Sequence, residues 1–218
     1  MPRFAYPVML EPAGRRCVIV GERAVEEGKL DALLEAGADE VVVLTVGPCA
    51  RVDALGSDAR IRAERRRWRP ADLDGALLVI GWDPDPRERD RLAAEARARG
   101  VLVNVIDDVA GCDFAAPAVV RRGDLVVAIG TGGRSPALAR KLRQELGRRF
   151  GPGWAELVEV LRDVRASIRP LVQDAAERSR RWNRALDLEE AERLIDQGRA
   201  QELRARLIAR LAGTEASP

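Results

Sequence analysis

The 218-residue sequence contains no histidine. Imidazole is the commonest ligand for transition metals and the usual group that titrates near neutral pH, so a histidine-built metal centre is excluded. Cysteine is scarce, at Cys17, Cys49 and Cys112 only. Three is an odd number and no C-x-x-C pair occurs, so neither a disulfide framework nor a cysteine zinc site follows, and no resident metal is predicted. The sequence shows no run of about 18 apolar residues and no basic-then-apolar leader, which predicts neither a membrane span nor export but a reducing cytoplasm. A formal net charge of +2 is too small for a global nucleic-acid footprint. The composition that remains is 46% hydrophobic and 33% charged, with arginine almost replacing lysine. Such a chain can build a real core, as one large domain or two small ones.

Apolar runs alternate with helical periodicity through the first half. Residues 2–13 form a lead-in with an edge strand expected around Val8–Leu10, and Arg15–Gly21 (RRCVIVG) reads as a buried strand. Ala24–Ala36 has helical period, with Leu30, Leu33 and Leu34 on one face and Gly37 as its stop. Glu40–Val46 is a valine-rich strand, so strand, helix and strand make a βαβ unit and imply a parallel sheet. Val52–Leu55 suits a short helix, Ala76–Gly81 (ALLVIG) a buried strand, and Arg87–Arg99 a helix closed by Gly100. Residues 1–112 therefore read as a Rossmann-like α/β domain. After Gly147–Gly153 the pattern becomes helical, in four segments beginning at Trp154, Ala175, Leu188 and Ala200, with Asp187 as an N-cap.

The richest stretch is Val101–Arg143. It opens as a strand, VLVNVI, that ends on Asp107 and Asp108, continues through Cys112 and Asp113, and gives two further strand-like runs, Ala115–Val120 and LVVAI. A basic turn, Arg121-Arg122-Gly123, joins those runs, and the second feeds GTGGRSP, in which Ser135 suits an N-cap and Pro136 a first helical position. A glycine-rich loop before a helix presents unpaired N–H groups and a positive dipole end, which favours an anion.

The pattern NVIDD…CDFAAPAVVRRGDLVVAIGTGGRSPALARKLR resembles the signature of the siroheme synthase N-terminal-type family, the precorrin-2 dehydrogenases and sirohydrochlorin ferrochelatases. The resemblance implies a Rossmann-like dinucleotide-binding domain (1–112), a small α+β dimerisation and tetrapyrrole region (113–146) and a helical domain (147–218). It also implies a strand over Ile61–Trp68, where the residues themselves are ambiguous, and a homodimer with the strands of 113–130 exchanged between protomers. By position in the motif, Asp107 corresponds to the family's essential acid and would act as general base. Asn104, Arg121, Arg122, Thr131, Gly132, Gly133, Arg134 and Ser135 would line the site of a tetrapyrrole substrate, precorrin-2 or sirohydrochlorin. Arginine forks there, Arg140 and Arg143 among the candidates, match carboxylates bidentately, whereas Asp108 reads as structural.

The cofactor implied is NAD, held by Gly21, Arg23, Ala24, Val25 and Asp83. Yet the family's triple glycine is here Gly21-Glu22-Arg23-Ala24-Val25-Glu26. Arg23 stands at the close-approach glycine and Glu26 at a small helix-packing position, and Glu22 and Glu26 place negative charge near the helix N-terminus that would receive a diphosphate. No acid ends the second strand to hold a ribose, since Asp39 and Glu40 precede it. The family's Ala-Thr-x-Asp-Pro appears as Trp82-Asp83-Pro84-Asp85-Pro86, and its asparagine as Arg89.

Three readings follow. The first is an NAD-dependent precorrin-2 dehydrogenase of siroheme biosynthesis, with ferrochelatase (lyase) activity toward Fe²⁺ or Co²⁺ as a second activity. Metal insertion would have to use carboxylates such as Asp107 and the substrate's own nitrogens. The second is an NAD-independent sirohydrochlorin chelatase with a lost dinucleotide site. The third is a non-catalytic tetrapyrrole-binding or scaffold protein. No nucleic-acid or membrane partner is expected, and no methyltransferase is expected on this chain.

Overall fold

A computed structural model describes residues 4, 6–55 and 57–213. The chain divides into two compact units, the first ending at Ala116 and the second starting at Pro117.

The first unit is a five-stranded parallel sheet in the order β3-β2-β1-β4-β5. The strands are β1 (Arg16–Val20), β2 (Glu40–Thr45), β3 (Ile61–Arg65), β4 (Leu78–Gly81) and β5 (Leu102–Val105). Both faces are buried, as a parallel sheet requires. Val18, Val20, Val42, Leu44, Val79, Val103 and Val105 point to one face, where Leu92, Ala93 and Ala96 of α4 (Pro86–Ala98) cover them. Cys17, Ile19, Val41, Val43, Leu78 and Ile80 point to the other, against Ala24, Val25, Leu30 and Leu33. In register, Val20 lies opposite both Leu44 and Gly81, and Gly81 opposite Val105. The carboxyl ends of β1, β2, β4 and β5 are thereby drawn to one edge, where open α/β sheets bind ligands.

Two local expectations are corrected. The helix expected over Ala24–Ala36 is two short helices, α1 (Glu22–Glu26) and α2 (Lys29–Glu35), because Gly28 takes a left-handed conformation (φ 76°) and breaks the ladder. The edge strand expected at Val8–Leu10 does not form. Prolines at positions 7 and 12 flank that run, and Val8 and Met9 are exposed. Between β2 and β3, α3 spans Ala50–Ala54, and the ambiguous Ile61 segment is the strand that the family resemblance implied.

The second unit opens with an antiparallel hairpin, β6 (Ala118–Arg122) and β7 (Leu125–Ile129), turned at Gly123-Asp124. It continues into α5 (Pro136–Arg149) and then α6 (Trp154–Ile168), α7 (Ala175–Ala185), α8 (Leu188–Asp196) and α9 (Ala200–Ala212). Leu157, Val164, Ile168, Leu194, Leu203, Leu207 and Leu211 form its core, and α5 buries none of its residues. Asp187 caps α8 by accepting from the N–H groups of Glu189 and Glu190 at 2.9 and 3.0 Å, as its sequence position predicts.

Candidate functional site

The strand-end edge of the first unit is organised by Gly21. Its φ of 88° is closed to other residues on steric grounds, and a Cβ added there would lie 2.3 Å from the Trp82 carbonyl oxygen. The tight first turn of a dinucleotide fold is therefore intact. Ala24 and Val25 are buried and hold α1 to the sheet. Glu26 is exposed, so the packing conflict expected at that position does not arise.

Arg23 leaves the turn toward the neighbouring strand ends. Its guanidinium pairs with the carboxylate of Asp107, donates to Glu27 Oε1 at 2.9 Å and lies 5.1 Å from the centroid of the Trp82 ring. Its hydrogen bond to Glu27, which outweighs partial desolvation, and the charge of Asp107 hold its pKa above the ordinary arginine value. The structure thus joins the glycine turn to the acid singled out for catalysis. Asp107 itself follows β5 with a positive φ of 61°, a conformation that costs a non-glycine residue about 1 kcal/mol but that aspartate tolerates best. Its side chain remains 65% exposed, so solvent and ligands can reach the carboxylate.

Glu22 behaves differently from expectation. Its charge was expected beside the helix N-terminus; instead the carboxylate turns to the end of β2. There Oε1 accepts from Val46 N–H at 2.7 Å and from Gly47 N–H. Burial pushes its pKa up, but the N–H groups of Gly47, Glu22 and Val46 outweigh that and hold the carboxyl below the usual range. The strand end that lacks an acid of its own receives one from the glycine turn. Asp39 is at the opposite end of β2, where it accepts from Gly14 N–H at 2.9 Å.

The remaining first-unit candidates serve the frame. Asp83 accepts from Asp85 N–H at 2.8 Å, and its main-chain carbonyl takes a hydrogen bond from Arg89 at 2.6 Å. Asp85 caps α4 by accepting from Arg87 N–H at 2.9 Å. Asn104 donates through Nδ2 to the Phe114 carbonyl at 2.8 Å, fixing the loop after β5. Asp108 accepts from Ala110 and Gly111 N–H at 2.9 and 3.1 Å, and Cys112 is buried beneath the same loop.

The other candidates belong to the second unit. Ser135 caps α5 by accepting from Leu138 N–H at 3.2 Å, and Thr131 Oγ1 accepts from Ser135 N–H at 3.2 Å. Gly132 and Gly133 have φ of 60° and 77°, and a Cβ at Gly133 would meet nothing within 4 Å. The loop is open to solvent. Arg121 is half-buried, Arg134, Arg140 and Arg143 are exposed, and none of the four has an ion-pair partner among the described residues. Arg122 differs: its three nitrogens donate to the carbonyls of Phe150 (2.8 Å), Arg121 (2.8 Å) and Gly147 (2.9 Å). That guanidinium closes the end of α5 and is poorly placed to grip a carboxylate.

Sequence reasoning misassigned one contributor, Glu22, and gave no role to another, Trp82. For Glu22 the signal was the absence of an acid on β2 combined with an acid in the turn. Trp82, in the strand-end position after β4, carried no sequence signal beyond being aromatic.

Five parallel strands in this order, with a glycine-built turn at the point where the strand order reverses, define an α/β protein of the dinucleotide-binding class. Residues 8–118 match the family model described as "Putative NAD(P)-binding", and residues 122–149 match "Sirohaem biosynthesis protein central". The chain belongs to this NAD(P)-binding family, and within it to the siroheme synthase N-terminal type that its 101–143 motif resembles. It is similar to the siroheme synthase of Methylococcus capsulatus (34% identity over 196 residues, 90% of this chain and 41% of that protein). It is also similar to that of Azotobacter vinelandii (32% over 210 residues, 95% of this chain and 44% of that protein). The chain thus spans about two fifths of the length of these curated relatives. A solved structure titled "SirC, precorrin-2 dehydrogenase" shares the fold, with a TM-score of 0.68 and 20% identity, over 93% of this chain and 98% of that one.

The residues present fit a dinucleotide. Gly21 keeps the tight turn, Glu22 supplies an acid at the β2 end, and Arg23 supplies a cation at the position where the pyrophosphate approaches. Among the described residues no helix is long and apolar enough to cross a membrane.

Proposed function

We propose that the protein is a precorrin-2 dehydrogenase of siroheme biosynthesis, forming sirohydrochlorin with NAD. The observation that supports this reading is the ion pair between Arg23 of the glycine turn and Asp107, the acid singled out from the motif. Precorrin-2 loses two hydrogens in this reaction, one as hydride and one as proton. NAD, when bound, supplies the hydride acceptor.

The chain's own residues do the rest. Gly21, Ala24, Val25 and the backbone near Asp83 shape the turn that would hold the dinucleotide, and Arg23 would supply a cation for its phosphate, a charge-assisted bond comparable in strength to the one it makes with Asp107. Asp107, released and exposed, accepts the proton from the ring carbon. Asn104 holds the loop that carries it. In the second unit, Arg121 and Arg134 carry guanidinium groups suited to carboxylates, and Thr131, Gly132, Gly133 and Ser135 form an open loop and a capped helix start suited to an anion. Insertion of Fe²⁺ or Co²⁺ into the product is a second activity, with the metal as substrate and Asp107 taking pyrrole protons. A homodimer built on the 113–130 strands agrees with the half-exposed apolar residues of β6 and β7.

A second reading, an NAD-independent sirohydrochlorin handler, is favoured by the same ion pair if Arg23 never leaves Asp107. The discriminating variant is Asp107→Ala, with Asp107→Asn as the form better suited to the left-handed backbone. The dehydrogenase reading expects both to lose turnover by about 10²–10⁴-fold while remaining folded. Normal turnover in either would remove Asp107 from the mechanism.

A further inference from the structure

Dinucleotide folds discriminate NAD from NADP at the end of the second strand. An acid there bonds the ribose hydroxyls and repels a 2′-phosphate, whereas free N–H groups and a nearby arginine accept that phosphate. Here β2 ends Thr45-Val46-Gly47-Pro48 with no acid. The N–H groups of Val46 and Gly47 nevertheless already hold an anion, the carboxylate of Glu22 delivered from the neighbouring glycine turn. The fit is close: a Cβ on Gly47 would lie 3.4 Å from Glu22 Oε1. The Val46 and Gly47 N–H bonds both go to Oε1, and the N–H of Glu22 itself adds to the stabilisation of the carboxylate.

The cations that could otherwise receive a phosphate here are engaged. Arg51, on the helix that follows β2, pairs with Asp31. Arg65, opposite Thr45 on β3, donates to Asp53 Oδ1 at 2.7 Å. The β2 end thus presents a fixed negative charge, and its neighbouring arginines are paired with other carboxylates.

We infer that Glu22 is the specificity-determining residue of the dinucleotide site: its carboxylate accepts ribose hydroxyls, and its charge excludes a 2′-phosphate. This rests on the dinucleotide reading of the preceding section and extends it to the choice between NAD and NADP. It also gives Glu22 a role opposite to the one its position in the turn suggests. The acid is held away from the pyrophosphate and repels only a phosphate on the ribose.

The test is calorimetric titration of the full chain with NAD⁺ and, separately, with NADP⁺, repeated for Glu22→Gln and Glu22→Ala. Glutamine retains an oxygen for the Val46 and Gly47 N–H groups but removes the charge; alanine exposes both N–H groups. The wild type is expected to prefer NAD⁺ by at least about tenfold, the cost of opposing two like charges. That ratio should narrow in Glu22→Gln and narrow further or invert in Glu22→Ala, with far-ultraviolet circular dichroism unchanged. A wild-type ratio near one, or a ratio that Glu22→Gln leaves unchanged, overturns the role of Glu22 while leaving dinucleotide binding intact. No binding of either dinucleotide overturns both.

Discussion

Two glycine turns feed helices in this molecule, and they are built in opposite ways. At Gly21 only the first glycine remains, and the next two residues carry charged side chains that reach across the sheet edge to β2 and to Asp107. At Gly132–Gly133 the backbone is left-handed, a Cβ on Gly133 would meet nothing within 4 Å, and the loop is tied by the local bonds of Thr131 and Ser135. The first turn is closed by its own side chains and must exchange partners to receive a ligand. The second is already open. Glycine content alone therefore misjudges both: the turn with fewer glycines has the more developed polar site, because its acids and cation are fixed by partners from other strands.

The largest effect that sharpens this contrast is steric. Gly21→Ala, whose Cβ would meet the Trp82 carbonyl at 2.3 Å at a φ of 88°, is expected to cost about 3 kcal/mol or more of stability. Gly133→Ala, with a similar φ but empty surroundings, is expected to cost only about 1 kcal/mol. Thermal or urea melting of the two variants compares them directly, and equal losses would break the distinction between a closed and an open turn. Next in size, Arg23→Ala is expected to weaken NAD⁺ binding about tenfold, because the cation that exchanges from Asp107 to phosphate is gone. Tighter NAD⁺ binding in that variant would mean that Arg23 merely obstructs the turn.

How much of this was legible in the sequence follows from what fixes each element. β1, β2 and β4 are nearly continuous apolar runs and β5 is one interrupted only by Asn104, as suits a sheet buried on both faces, and the four helices from Trp154 onward are strongly periodic; all were readable. The break at Gly28 was not, because a single glycine inside a periodic helix is as compatible with an unbroken helix as with two. Among the site residues, Ser135 and Asp187 announce themselves by local capping chemistry. Asp107 was found through the motif resemblance. Glu22 was visible but misassigned, since its partners, Val46 and Gly47, lie more than twenty residues away and its direction depends on the neighbouring strand. Arg122 was misjudged for a related reason: a basic turn residue looks free until the carbonyls at the end of α5 are placed beside it.

A smaller effect concerns pH. Because the folded-state pKa of Glu22 is depressed, its tie to β2 is fully present above the ordinary glutamate pKa and is lost as pH falls through the depressed value. Hydrogen exchange at Val46 and Gly47, corrected for intrinsic rates, should show protection at neutral pH that declines on acidification. Protection independent of pH would detach Glu22 from the strand end. The smallest effect is chemical: burial pushes the Cys17 thiol up to about 11, so thiol reagents at neutral pH should label it only after unfolding. Rapid native labelling would indicate that the sheet opens around its central strand, β1.

The central claim, that the closed turn still receives a dinucleotide and serves oxidation, is tested most directly by calorimetric titration with NAD⁺, in the absence and presence of sirohydrochlorin. The account predicts NAD⁺ binding in the micromolar range, about −8 kcal/mol, with Arg23 and Glu22 in place. Firm sirohydrochlorin binding without any NAD⁺ binding would contradict it. The first unit would then be a scaffold locked by its own ion pair, and tetrapyrrole handling without dinucleotide would be the function that remains.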